Sequence, residues 1–170
     1  MKYFTLSLIT FLMIVFTSQT FAQRAIRKML KSPYNYEVES LGVGQDGTKL
    51  VKIWGYSKKA HVAVMEAERN AVAAAIFRGY PAGNGAAATP ALCSDHSCFE
   101  NNRKFFDEFF KPGGKYLQFV NRTNDGMPGG RDRIKMKKGY KVAVKASVAH
   151  RNLREYLEQE GLIKSLDSGF

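Results

Sequence analysis

The chain has 170 residues, a formal net charge of +11 and two cysteines. This length fits one domain that buries its own core, which excludes a disulfide-dense miniprotein and a large multidomain enzyme. The charge favours attraction to anionic partners, but charge alone does not distinguish lipid head groups, acidic glycans and nucleic acid, and solubility explains it equally well.

The first 22 residues have the three parts of a cleavable secretion signal. Lys2 supplies a positive start, residues 6–16 are almost wholly apolar, and small side chains at Thr20 and Ala22 mark a cut after Ala22. The apolar run is shorter than the roughly 20 residues that span a bilayer, and no cysteine follows it to carry a lipid. We therefore expect a signal peptide at 1–22, then a single domain that is free in the periplasm or secreted, without a transmembrane anchor.

The mature domain, residues 23–170, opens with a short basic amphipathic pattern at 24–31. Such a helix can touch a membrane surface, but folding back onto its own domain is the favoured interpretation. Two strands are predicted at 34–41 and 48–56, with a glycine-rich hairpin turn between them. The second strand carries apolar side chains on both faces, which indicates a central position in a sheet.

Two helices follow the predicted hairpin. Ser57 is a favourable N-cap residue for the first helix, which is predicted at 58–77. This helix is apolar on two sides and rich in alanine, as expected of a buried helix. Ser97 and Glu100 have capping-box spacing and open the second helix, 98–110. One face of this second helix is phenylalanine-rich, and the pattern favours a core position over a lipid-binding surface. That face consists of Phe99, Phe105, Phe106, Phe109 and Phe110.

The last third of the chain is predicted to be mainly strand. One strand covers 116–122, a hairpin joins 133–137 to 141–148, and a final helix covers 152–160. The element order β-β-α-α-β-β-β-α predicts an α+β domain. We expect a mainly antiparallel sheet that is covered by the buried alanine-rich helix and the phenylalanine-rich helix.

The two cysteines lie five positions apart, just before the phenylalanine-rich helix. In an oxidising compartment, a structural disulfide between Cys93 and Cys98 is the expected state. A thiol-redox pair is an alternative, because a cysteine in the first helical turn has a stabilised thiolate, but redox pairs normally have two intervening residues rather than four. A metal site that adds Asp95 and His96 is a third possibility, although so tight a loop cannot easily surround a tetrahedral ion.

Motifs for enzymatic chemistry are absent from the sequence. There is no nucleophile elbow, zinc-protease helix or phosphate-binding loop, and we assign no catalytic residue, metal or cofactor. His61 and His150 have no serine or carboxylate at a diagnostic spacing. The alternative to a binding protein is a small enzyme or thiol-redox protein with its site near the loop between Tyr80 and Cys98.

A cluster of basic residues coincides with the predicted second hairpin. On the first strand the basic residues occupy alternate positions and so share one face, and the same holds for those on the second strand. Together they predict a positive stripe that binds an anionic partner. A solvated lysine face that protects a sheet edge is the alternative. We expect the partner to be an envelope protein or an anionic glycan or lipid surface, and not cytoplasmic nucleic acid, which an exported protein does not meet. The cluster consists of Arg131, Arg133, Lys135, Lys137, Lys138, Lys141 and Lys145.

Four segments of the chain have distinctive sequences: VKIWGYSKKAHVAVMEAERNAVAAAIFRG, FFDEFFKPGGKYLQFV, TNDG and GLIKSLDSGF. Together they resemble a family of small exported proteins of gut Bacteroidales with no assigned activity. Residues 53–75 are also similar to the N-terminal domain of the flagellar-assembly T protein and related envelope lipoproteins, which are non-catalytic α+β modules. The resemblance implies an exported, non-enzymatic binding or assembly module of the envelope. It carries over no site residues, and the chain departs from the lipoproteins in lacking a lipid-bearing cysteine.

Overall fold

A computed structural model describes residues 37–93, 95, 97–123 and 126–165. The expected signal peptide at 1–22 and the expected helix at 24–31 lie outside the described residues. The helices and strands are β1 (Val38–Val43), β2 (Lys49–Ser57), α1 (Ala60–Phe77), α2 (Cys98–Asn101), α3 (Arg103–Phe109), β3 (Val120–Arg122), β4 (Arg133–Met136), β5 (Gly139–Val148) and α4 (His150–Gln159). Short 3-10 turns occupy Gln45–Gly47, Lys115–Phe119 and Gly130–Asp132.

The strands form one antiparallel sheet in the order β1-β2-β5-β3, with β4 also paired to β5. The longest strand, β5, pairs with β2 from Tyr140 to Val148. On its other edge β5 pairs with β4 near its start and with β3 near its end. This confirms the predicted α+β class, the antiparallel sheet and the central position of β2.

Helix α1 lies across one face of the sheet, and its alanines make a close approach possible. A β-carbon on Gly55 of β2 would overlap the carbonyl oxygen of Ala63 and lie 2.5 Å from the amide nitrogen of Ala67. The backbones of β2 and α1 therefore touch at Gly55, which only a residue without a side chain permits. Val51 and Ile53, on the same face of β2, are fully buried beneath the helix.

The phenylalanine-rich segment packs against Phe77 at the end of α1 and belongs to the core, as predicted, but it is not one continuous helix. It does not cover the whole far side of α1, since Met65 is 47% exposed. It is interrupted at Asn102, whose side-chain amide donates to the carbonyl oxygen of Cys98 over 3.0 Å. Asparagine competes in this way with helical backbone bonds, so α2 and α3 are separate. Phe106 and Phe110 are fully buried, and their rings contact Phe77 of α1. The phenylalanines thus belong to the core.

Three predicted boundaries were wrong. The strand expected at 116–122 is a 3-10 turn until Val120, because Tyr116 and Phe119 are both buried and a three-residue repeat brings them to one side. Ser57 ends β2, and α1 starts after Lys59 without a side-chain cap. Ser97 likewise makes no capping bond of its own. Its amide donates to the Asp95 carboxylate over 2.9 Å.

Candidate functional site

The register of β4 and β5 divides the predicted basic cluster between the two faces of the sheet. Arg133 pairs with Val142, which is buried beneath α1, and Lys135 lies on the same face as Arg133. Lys141 and Lys145 alternate with Val142 along β5 and therefore lie on the opposite, outer face. The structure does not bring all seven cations together in one stripe.

The outer face carries its lysines as part of a balanced network around Trp54. The Lys141 ammonium lies 2.5 Å from a carboxylate oxygen of Glu37 and 4.6 Å from the Trp54 ring centroid. The Lys52 ammonium lies 2.7 Å from Asp132 and 5.5 Å from the same ring. Each lysine is thus held by a carboxylate and by a cation–π contact. The protein itself thus supplies the counter-charges of Lys52 and Lys141 on this face.

The tip of the β4–β5 hairpin is fixed against the junction between β2 and α1. The Tyr56 hydroxyl donates to the carbonyl oxygen of Lys138 over 3.0 Å. Gly139 lies so close to the junction that a β-carbon on it would overlap the Ser57 carbonyl oxygen and lie 3.0 Å from the α-carbon of Lys58. The lysines of the hairpin tip and those of the junction are therefore held at the same end of the molecule.

We call this region the lysine-rich end. Its members come from two segments far apart in the chain, and all are exposed. Four of them line a shallow cavity of about 530 Å³ whose floor includes Met136 and Tyr140. Within the described residues, none of the five forms an ion pair with a carboxylate. The lysine-rich end consists of Lys58, Lys59, Lys135, Lys137 and Lys138, of which all but Lys59 line the cavity.

The start of α1 adds to the positive potential of this end. The helix begins directly after Lys59, has no acidic residue in its first turn and has no side-chain cap. The unsatisfied amides of a helix N-terminus carry about half a positive charge. Arg131, in the turn before β4, and Arg133 are exposed and continue the cationic surface along the same strand. The lysine-rich end therefore combines several cations and a helix N-terminus, and its lysines form no ion pair with a carboxylate of the described residues.

Lys58 and Lys59 were not among the site residues predicted from the sequence. They follow the predicted second strand directly, but their closeness to the hairpin depends on the long-range pairing of β2 with β5. That pairing places Ser57 opposite Tyr140. The sequence feature that could have identified these two residues is the pair of consecutive lysines at the end of a predicted central strand.

The cysteine pair lies at the start of α2. The structure places the sulfur atoms of Cys93 and Cys98 at disulfide-bonding distance, with their α-carbons 6.1 Å apart and both residues buried. His96, a member of the alternative metal site, lies outside the described residues. In the part of the chain that is described, no group of three or more histidine, cysteine and acidic side chains is placed to hold a metal ion.

The loop proposed as an alternative enzyme site is packed against the domain at its start. Tyr80 is 3% exposed, and its hydroxyl donates to the carbonyl oxygen of Ala71 over 2.8 Å. Burial raises the pKa of Tyr80 far above its usual range, which keeps the phenol neutral. Further along, the Asn84 side chain donates to the Ser40 carbonyl oxygen over 2.6 Å, so that this loop contacts β1 at Ser40.

His150 is half-buried at the start of α4. Burial, together with the nearby charges of Lys49 and Arg154, lowers the pKa of His150 to about 4. Its Nε2 atom is buried and has no hydrogen-bond partner in the described structure. The ring lies beside Tyr80, with 6.4 Å between the ring centroids. At neutral pH this histidine is therefore uncharged.

No protein-family model, curated protein or solved structure matches the chain. The resemblances to exported Bacteroidales proteins and to envelope lipoproteins therefore stay predictions. Among the described helices, none is both long enough and apolar enough to cross a membrane.

Proposed function

We propose that this chain is an exported, non-enzymatic binding module that engages an anionic partner through its lysine-rich end. The observation that carries the proposal is the convergence of five exposed lysines at one end of the molecule, four of which line one cavity beside the α1 N-terminus. Two of these lysines come from the β2–α1 junction and three from the β4–β5 hairpin. The mutual repulsion of such a group is relieved when an anion binds between its members.

The contrast between Lys141, on the outer face of the sheet, and the lysines of the hairpin tip supports this assignment. Lys141 already forms an ion pair with Glu37 and a cation–π contact with Trp54. The hairpin-tip lysines, in contrast, form no ion pair with a carboxylate of the described residues. An anionic partner at the tip therefore does not have to displace an internal ion pair. A partner with several negative groups contacts several lysines at once and releases their counterions, so that binding weakens as salt rises.

Export follows from the predicted signal at residues 1–22, with cleavage after Ala22. The buried cysteine pair at disulfide-bonding distance is compatible with an oxidising compartment, either the periplasm or the exterior. Within the described residues, no helix has the length and composition to serve as an anchor. Together these features support a module that meets its partner in the cell envelope or outside the cell.

The test is a binding experiment on the exported protein, purified after processing of the full-length chain. Its probes are heparin, vesicles that contain phosphatidylglycerol, and polyglutamate. We expect at least one probe to bind at about 50 mM salt and to dissociate as salt rises. The variant Lys58→Glu/Lys135→Glu/Lys138→Glu should lose at least about tenfold in affinity, because three attractive charges become repulsive.

A matched control separates a local site from net charge. The variant Lys104→Glu/Lys145→Glu/Lys164→Glu makes the same change in charge at exposed lysines outside the lysine-rich end. It should retain most of the affinity. Equal loss in both variants, each folded by circular dichroism, would show that net charge rather than this site attracts the probe. Failure of the unaltered protein to bind any probe would contradict the proposal directly.

A further inference from the structure

Strand β4 leaves one of its edges without a partner in the described structure. Its four residues pair with β5 on one side, and no described strand pairs with it on the other. Arg133, Ile134 and Lys135 are all exposed, and Ile134 keeps 42% of its surface accessible. An edge strand of this kind presents free backbone amide and carbonyl groups that can pair with another chain.

The side chains of β4 alternate between apolar and cationic. Ile134 pairs with Lys141 and so lies on the outer face together with Met136. Arg133 and Lys135 lie on the face that carries α1. A strand added beside β4 would therefore meet apolar groups on one face and positive charges on the other.

We propose that β4 adds a strand from an extended peptide whose side chains alternate between acidic and apolar. This inference rests on the proposed function and names its partner as a protein segment. Acidic side chains of the peptide would lie opposite Arg133 and Lys135, and its apolar side chains would cover Ile134 and Met136. Main-chain hydrogen bonds supply affinity in this mode of recognition, and the alternating pockets supply specificity.

The alternation favours a peptide over a polysaccharide or a lipid surface. A polysaccharide with sulfate or uronic-acid groups can form ion pairs with the cations of β4. It leaves Ile134 uncovered, however, and it cannot form the backbone hydrogen bonds of a paired strand. A second copy of this chain is also disfavoured. Antiparallel pairing of two β4 strands that keeps their faces aligned places Arg133 of each strand opposite Lys135 of the other, and like charges directly opposite are destabilising.

The experiment uses the exported protein, labelled with nitrogen-15, and a synthetic peptide of four Glu-Val repeats capped by threonine. We expect binding to slow the hydrogen exchange of amides in Arg133–Met136. A second peptide has the same sequence and charge, with N-methyl groups on alternate amides of the edge that faces β4. Because methylation removes the pairing donors, we expect at least tenfold weaker binding of this peptide.

Charge exchange tests the proposed pairing of side chains. The variant Arg133→Glu/Lys135→Glu should no longer bind the Glu-Val peptide and should instead bind a Lys-Val peptide of the same length. The matched variant Lys104→Glu/Lys145→Glu should still prefer Glu-Val. Circular dichroism of both variants checks that the exposed substitutions leave the fold intact.

The possible outcomes distinguish this inference from the proposed function. Equal binding of the methylated and unmethylated peptides overturns strand addition and leaves an anion site at the lysine-rich end. Binding of heparin or anionic vesicles without either peptide overturns the protein partner alone. Binding of no anionic probe overturns both proposals. Dimerisation through β4, seen as concentration-dependent sedimentation that Lys135→Glu alters, also overturns the inference, because the edge would then belong to a second copy.

Discussion

The side-chain amide of Asn70 donates a hydrogen bond to the carbonyl oxygen of Trp54, with 3.0 Å between the nitrogen and the oxygen. Asn70 lies on α1 and is fully buried. Trp54 lies just past the first β1–β2 pair, Val38 with Ile53, and its amide donates to the Glu37 carbonyl oxygen. The buried side-chain amide of Asn70 thus supplies a hydrogen-bond donor to the Trp54 carbonyl oxygen of β2. This carbonyl lies where the β1–β2 pairing ends, and leaving it unpaired would be costly.

Substitution of Asn70 by alanine should destabilise the protein by about 1–3 kcal/mol, because the Trp54 carbonyl loses its donor within the core. The measurement is the free energy of unfolding in urea. Asn101→Ala is the matched control: Asn101 is exposed at the end of α2, and its replacement should change stability by less than about 0.5 kcal/mol. Equal effects of the two substitutions would show that the buried hydrogen bond adds nothing.

Gly55→Ala should be among the most damaging small substitutions in the chain. The added methyl group would overlap the Ala63 carbonyl oxygen and crowd the Ala67 amide, and both belong to helix backbone that cannot rotate away. We expect a loss of about 3 kcal/mol or more, at the upper end of overpacking effects. Gly129→Ala is the control, since its φ of −127° suits any residue and no atom lies within 4 Å of the added carbon. Similar unfolding curves for both variants would contradict the close approach of α1 to β2.

Local sequence patterns were sufficient to predict the fold class. The apolar spacing of residues 58–77 requires a helix buried on two sides, and the alternation in 141–148 requires a strand with one covered face. Both elements are present, as α1 and β5. These predictions were correct because such periodicity reflects burial directly, and burial is what stabilises the elements.

The arrangement of the basic residues depended on register, which local patterns do not determine. In the β4–β5 hairpin, odd-numbered residues of β4 pair with even-numbered residues of β5, as Arg133 does with Val142. Had the pairing differed by one residue, Arg133 and Lys141 would share a face. The place of Lys58 in the lysine-rich end could not be predicted from local patterns either. It depends on contacts between segments some eighty residues apart, such as the hydrogen bond from Tyr56 to Lys138.

His150 should make the protein less stable as the pH falls from about 6.5 towards 4. The folded protein holds the pKa of His150 at about 4, whereas an unfolded histidine titrates near 6.5. In this window the unfolded state binds a proton that the folded state does not, so that acidification favours unfolding. The loss between pH 7 and pH 5 should be about 1 kcal/mol, since the side chain is only partly buried.

The variant His150→Gln cannot titrate, so its stability should fall less than that of the unaltered protein between pH 7 and pH 5. His61→Gln is the control, because His61 is exposed. It should keep the original pH dependence. Urea unfolding at the two pH values measures the difference. The assignment fails if His150→Gln loses as much stability on acidification as the unaltered protein does.

The cysteine pair should act as a structural crosslink rather than as a redox centre. The amide of Cys93 donates to the carbonyl oxygen of Ile76 over 2.8 Å, and Cys98 begins α2, so a bond between them ties the end of α1 to α2. Both residues are buried, which shields the sulfur atoms from thiols in solution. We expect the purified protein to take up no alkylating reagent when it is denatured without reductant, and two equivalents after reduction.

The variant Cys93→Ala/Cys98→Ala should be less stable by about 2 kcal/mol, the value expected for crosslinking so short a loop. Its unfolding curve should no longer respond to reductant, whereas the unaltered protein under reductant should approach the stability of the variant. A redox pair would behave differently. It would be partly reduced in the freshly purified protein and would exchange rapidly with glutathione while the domain stays folded. That result would favour catalysis at α2 over a crosslink.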